Sequence, residues 1–172
     1  MSSSDLPPPH EWPRNVRDLY EPVRVIGKGG FASVWMANEK EQHSNEDQVA
    51  IKIMQDNAYA EREIAILSEL TSKHPHPNVV RLIRDIKADG GVSKDSSSMG
   101  IRCAVLSLAR GPTLNFILNE FGALGMAVAQ SISRQLIGAV AFLHGHAGEM
   151  LTLHHNMTFH ARSFLKTSNI GI

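Results

Sequence analysis

The segment Gly27-Lys28-Gly29-Gly30-Phe31-Ala32-Ser33-Val34 is nearly bare of side chains at its centre and bounded by apolar alternation on both sides. Val23, Val25 and the Ile26-Gly27 end run into it as a strand. Ser33-Val34-Trp35-Met36-Ala37 returns, with Val34 and Met36 on one face. A chain patterned this way reverses at the glycines and pairs with itself. The polar stretch Asn38 to Gln48 then reads as a hairpin loop, and Val49 to Met54 as a third antiparallel strand carrying Val49-Ala50-Ile51-Lys52. A Gly-x-Gly occurs in many hairpins, and a lysine on an apolar strand is often a solvated edge charge. Together they make a specific pair. A bare turn lets backbone N–H groups close over phosphates, and a strand lysine brings them a fixed positive charge.

Composition narrows the classes. The chain has 172 residues, enough for a sizeable core, and 42% of them are hydrophobic, which argues against wholesale disorder. Seventeen basic residues balance seventeen acidic ones, so no net field favours nucleic acid or an anionic membrane, and neither is expected as a partner. The single Cys103 excludes an intrachain disulfide and reads as a buried, inert thiol. No apolar run is expected to reach the roughly 18 residues of a membrane span. The N-terminus lacks the basic and apolar regions of a signal peptide. The expectation is an intracellular protein of cytoplasm or nucleus.

Residues 1–15, rich in Ser and Pro, read as a flexible tail. After the third strand, Ala60, Ile64, Leu67 and Leu70 recur at helical spacing, and His74-Pro75-His76-Pro77 ends that helix. Val79 to Ile86 reads as a fourth strand, Lys87 to Gly100 as a solvated loop, and Ile101 to Leu108 as a fifth strand. Beyond Gly111-Pro112 the pattern is helical: Thr113 to Phe121, with Thr113 as N-cap, and Ala127 to His144, with Ile132, Leu136, Val140 and Leu143 as the buried stripe. Periodicity fades after Gly148. His144, His146, His154, His155 and His160 raise the question of zinc, but no cysteine lies near them, and loop histidines are the preferred reading.

These residues resemble the eukaryotic protein kinases. Gly27, Gly29 and Val34 fall where the pattern Gly-x-Gly-x-x-Gly-x-Val wants them, with Ala32 in place of the third glycine. Val49-Ala50-Ile51-Lys52 is similar to the strand whose lysine reaches the nucleotide phosphates, and Glu63 to the helix glutamate that pairs with it. His76-Pro77-Asn78-Val79-Val80-Arg81-Leu82 resembles the segment that follows. Val105 to Gly111 resembles the strand and hinge that receive adenine. The resemblance implies an α+β fold: a five-stranded antiparallel sheet plus one helix over residues 16–110, then the first helices of an incomplete helical lobe over 111–172. It also implies ATP and Mg as cofactors and transfer of the γ-phosphoryl to Ser or Thr of a protein substrate. Ile26, Gly27, Lys28, Gly29, Val34, Ala50, Lys52, Leu106, Ser107, Leu108 and Ala109 are then the nucleotide contacts, with Leu106 as gatekeeper. Phe31-Ala32-Ser33-Val34-Trp35 and Gly111-Pro112-Thr113-Leu114 look most like the SR-protein kinases and their fungal relatives, which suggests Ser/Arg-rich partners.

The catalytic loop departs from the family. Leu165-Lys166-Thr167-Ser168-Asn169 matches its second half, which makes Lys166 a candidate for stabilising transferred charge and Asn169 a metal ligand. The position of the base falls on Phe164, which cannot accept a proton, and the link from His144 to Leu165 is longer than the family's. The chain ends before an Asp-Phe-Gly. A catalytically incomplete kinase homologue is therefore expected. The alternatives are a pseudokinase-like nucleotide or partner binding module, and an altered splice junction within 148–164. Apolar helix faces left uncovered by a missing lobe are expected to be partly exposed and to promote self-association.

Overall fold

The computed structural model describes residues 12–30, 32–40, 47–88 and 100–153, the side chains of the last seven excepted. Nine elements follow in order: α1 (Arg14–Leu19), β1 (Tyr20–Lys28), β2 (Ala32–Glu39), β3 (Gln48–Gln55), α2 (Ala58–Lys73), β4 (Leu82–Lys87), β5 (Ile101–Ser107), α3 (Leu114–Phe121) and α4 (Met126–Leu153). The five strands form one sheet in the order β1-β2-β3-β5-β4, every pair antiparallel. This is the five-stranded antiparallel sheet with helix α2, followed by further helices, that the sequence predicts; α1 is an addition to that expectation. The chain divides into two compact units, Met1–Glu69 with Arg81–Leu108 and Leu70–Val80 with Ala109–Ile172.

In the first unit, strand alternation separates two faces. Trp35 and Ala37 of β2, Val49, Ile51 and Ile53 of β3, and Cys103 and Val105 of β5 join one apolar cluster. Trp12, Val16 and Tyr20 close over it; Trp12 is 2% exposed and meets Trp35 edge-on, the ring centroids 6.1 Å apart. Trp12, expected within a flexible tail over residues 1–15, belongs to the core instead. Pro and Ser richness dilutes the apolar signal there, and a single large ring outweighs it by the area it buries. Residues 1–11 lie outside the described residues.

In the second unit, the Thr113 side chain accepts a hydrogen bond from the Phe116 N–H (3.1 Å), the cap the sequence predicts for α3. Gly122, at φ 74°, ends that helix in a conformation that favours glycine. Along α4 the inward residues are Ala139 and Leu143, and Gln135 receives the Asn78 amide at 2.8 Å. His76 stacks on Phe142, and His74 lies against His146. Leu136 is not part of this stripe: it is 42% exposed. Gln135 bonds Asn78, while Phe142 and His146 meet His76 and His74, so a reading weighted by aliphatic size picks the wrong side of α4. Phe116, Phe121, Met126 and Ile137 are also exposed within the unit, in line with the expected bare apolar faces.

One exclusion is corrected. Met126–His146, 21 residues, is long and apolar enough by length and composition to cross a membrane. Gln130, Ser131, Ser133 and Gln135 break its apolar run, yet Arg134 is its only charge.

Candidate nucleotide site

The site starts at the β1–β2 turn. Gly27 lies opposite Val34 and Lys28 opposite Ser33, with an irregularity between Val25 and Gly27. The Gly29 N–H donates to the Ala32 carbonyl at 2.9 Å and closes the turn. Neither Gly29 nor Gly30 has the left-handed φ that would demand glycine. Among the described residues, a Cβ built on Gly29 meets only the Ala32 oxygen, at 3.7 Å, and one on Gly30 meets nothing within 4 Å, so both positions are open toward those residues. Ile26 and Lys28 are exposed beside the turn.

Register then aligns the strand residues. Val34 pairs with Lys52 and Met36 with Ala50, while on the other side Lys52 pairs with Ala104 and Ala50 with Leu106. Val34, Ala50, Lys52 and Leu106 consequently share the face opposite the tryptophan cluster. Both Ala50 and Leu106 are 7% exposed.

Helix α2 brings Glu63 to this face. The Asn57 side chain caps its start, accepting from the N–H groups of Tyr59 (3.0 Å) and Ala60 (3.1 Å). Ala60, Ile64 and Leu67 are buried, which fixes the rotation of the helix and hence the direction of Glu63. The Lys52 ammonium donates to both Glu63 oxygens, at 2.5 and 2.6 Å. The two side chains are 17% and 20% exposed, so solvent screens the pair only in part. A carboxylate in this position offsets the desolvation of the ammonium and holds its direction.

At the end of β5, Ser107 is buried and doubly tied to Arg81: its N–H donates to the Arg81 carbonyl at 2.9 Å, and its hydroxyl accepts from the Arg81 N–H at 3.0 Å. Leu108 and Ala109 follow, and no hydrogen bond to their N–H groups is found among the described residues. Such backbone groups remain available to a planar polar ligand edge. Phe164, Lys166 and Asn169 lie outside the described residues, as do His154, His155 and His160. Among the described residues no group of three or more His, Cys, Asp or Glu is arranged to hold a metal ion.

Sequence reasoning missed a second charged cluster on the same face. Arg102 is 7% exposed and grips Asp85 with two hydrogen bonds, Nε to Oδ1 at 2.9 Å and Nη2 to Oδ2 at 2.6 Å. Its Nη1 reaches Asp56 at 3.4 Å. The hydrogen bonds to Asp85 raise the guanidinium pKa against the opposing effect of burial. The available signal was the one charged residue inside the largely apolar Ile101 to Leu108. Its neighbour Cys103 is buried and free, and burial, followed by the Asp85 charge, pushes its thiol up to about 12.

Residues 20–157 match the protein kinase domain. The chain is 35% identical over 129 residues to the probable serine/threonine-protein kinase zyg-1 of Caenorhabditis elegans, covering 73% of this chain and 16% of that protein. It is 25% identical over 158 residues to the mitogen-activated protein kinase kinase kinase ANP1 of Arabidopsis thaliana (86% and 22%). With the serine/threonine-protein kinase PrkC of Bacillus subtilis it shares 28% over 167 residues (92% and 23%). These matches span about a quarter or less of each relative's length. With a matched span running from β1 into α4, and with the lysine–glutamate pair set on the sheet face, the chain belongs to the protein kinase domain family.

Proposed function

We propose that this chain binds ATP with its glycine turn and Lys52, and that it does so without efficient phosphoryl transfer. The bidentate Lys52–Glu63 contact carries the reading, because it holds a desolvated cation on the face shared by Val34, Ala50 and Leu106. The open space above Gly29 and Gly30 fits a group that approaches backbone closely, as a phosphate does. In this assignment Lys52 holds the phosphates and Glu63 orients Lys52. Val34, Ala50 and Leu106 pack on the base, and the N–H groups of Leu108 and Ala109 are its candidate donors. Bound MgATP supplies a transferable γ-phosphoryl whose charge the metal offsets, and Asn169 is the ligand suggested for that metal.

Transfer needs a group that receives the substrate hydroxyl proton, and Phe164 at that position offers none. Titration with MgATP should therefore raise the melting temperature of the chain, and Lys52→Ala should abolish the rise. A radioactive-phosphate assay with a protein acceptor should show no turnover above background. Robust transfer by residues 1–172 would overturn the catalytic half of the proposal, and an absent thermal shift would overturn the nucleotide half. The finer affiliation, to SR-protein kinases acting on Ser/Arg-rich proteins, is suggested by Phe31 to Trp35 and Gly111 to Leu114. Self-association through the exposed residues of α3 and α4 accompanies it as an expectation.

A further inference from the structure

Lys52 and Arg102 are two cations on one face of the sheet. Lys52 pairs with Ala104 across β3 and β5, and Arg102 lies two residues along from Ala104, opposite Met54. Diagonal positions of this kind are roughly 7–8 Å apart, within reach of both long side chains. Glu63 nevertheless engages Lys52 with both oxygens, while Arg102 is occupied elsewhere. Asp85 of β4 takes two of its donors, and Nη1 points to Asp56 at the entrance to α2. The backbone joins in: the Asp56 N–H donates to the Gly100 carbonyl at 2.7 Å, and the next residue, Asn57, caps the helix. Glu61 and Lys87 add an outer, solvated layer, each contact at 3.8 Å. That layer is weak because water screens it; in the Arg102–Asp85 fork the guanidinium is buried while Asp85 is partly exposed, and the two-bond geometry supplies its strength.

From this geometry we propose that Arg102 is a positioning residue. Anchored by Asp85, it holds the first turn of α2 against the start of β5, so that Glu63 meets Lys52 and not the neighbouring guanidinium. The inference rests on reading Lys52 and Glu63 as the phosphate-positioning pair, but its test uses protein free of nucleotide.

The test combines Arg102→Met with Asp85→Asn, which removes both charges and leaves no orphaned carboxylate in the fork. Acylation of Lys52 by an amine-reactive reagent, followed by mass spectrometry, reports how tightly Glu63 holds the ammonium. Amide hydrogen exchange reports on α2 and on the strands separately. The double variant should label at Lys52 about tenfold faster, the scale of one charge-assisted hydrogen bond. Amides of residues 58–64 should exchange faster, while those of β3 and β5 keep their rates. Arg102→Lys, which keeps the charge but loses the fork, should fall between the two, and it carries the same test if the double variant does not fold. Unchanged Lys52 labelling would overturn the proposal. So would an equal acceleration in α2 and the strands, the signature of a merely structural arginine. A wild-type chain that fails to bind ATP would sink the proposed function and still leave these rates readable.

Discussion

Replacing Gly29 by alanine should separate what the turn does for the fold from what it does for a ligand. In most glycine turns the substitution strains the backbone, but here Gly29 has no left-handed φ, and among the described residues its added Cβ would meet only the Ala32 oxygen at 3.7 Å, an ordinary contact. Alanine then restricts the unfolded chain more than glycine and costs the folded one nothing, a gain of about 0.4–1 kcal/mol. For a chain of this length that is a rise in melting temperature of about 1–4 °C. Nucleotide binding should move the other way. A methyl group above the turn blocks the approach of phosphate to the backbone N–H groups, and one lost hydrogen bond to a charged group is worth about 1.5–3 kcal/mol. The dissociation constant for MgATP should therefore rise about tenfold to a hundredfold. Differential scanning calorimetry and titration calorimetry on the same preparation read both numbers. A variant that melts several degrees lower would refute the structural account of the turn. One that melts higher and binds MgATP like the wild type would refute the idea that the space is kept for phosphate.

Two further outcomes test the packing. Trp12→Ala should destabilise the chain by about 3 kcal/mol in urea unfolding, the usual cost of truncating a buried aromatic less the relief of a buried Nε1 that has no hydrogen-bond partner among the described residues; a loss under about 1 kcal/mol would remove Trp12 from the core. Above pH 9 stability should fall as pH rises, because the unfolded thiol of Cys103 ionises from 9.0 while the folded one waits until about 12. The slope from this group is up to about 1.4 kcal/mol per pH unit across that window. Tyr20, raised by burial, adds to it above pH 10. Cys103→Ala should flatten the curve between pH 9 and 10, and an unchanged slope there would refute the assignment.

Much of the site was legible in residue order because its parts are short-range patterns. Strand alternation put Val34, Ala50 and Lys52 in adjacent strands, helical spacing put Glu63 beside the buried Ile64, and a glycine turn joined β1 to β2. The α3 cap was readable from Thr113 alone, since an N-cap depends on a side chain and a backbone group three residues apart. The less legible features depend on partners distant in sequence. Trp12 gives no local signal of burial, and the apolar cluster that includes Trp35, brought together by the fold, makes it core. Gln135 and Phe142 turn toward Asn78 and His76, which leaves Leu136 exposed despite its hydrophobicity.

The sequence by itself determined the sheet, through strand alternation and turns, and its resemblance to the protein kinases singled out the lysine and its glutamate. Tertiary structure alone decided which acids hold the second cation, Arg102, on the shared face. Lys52 and Arg102 stand on adjacent strands, and their carboxylates come from positions 56, 63 and 85. Coulomb attraction depends on distance in space, and in this sheet that distance follows from the β3–β5–β4 register and the cap at Asn57.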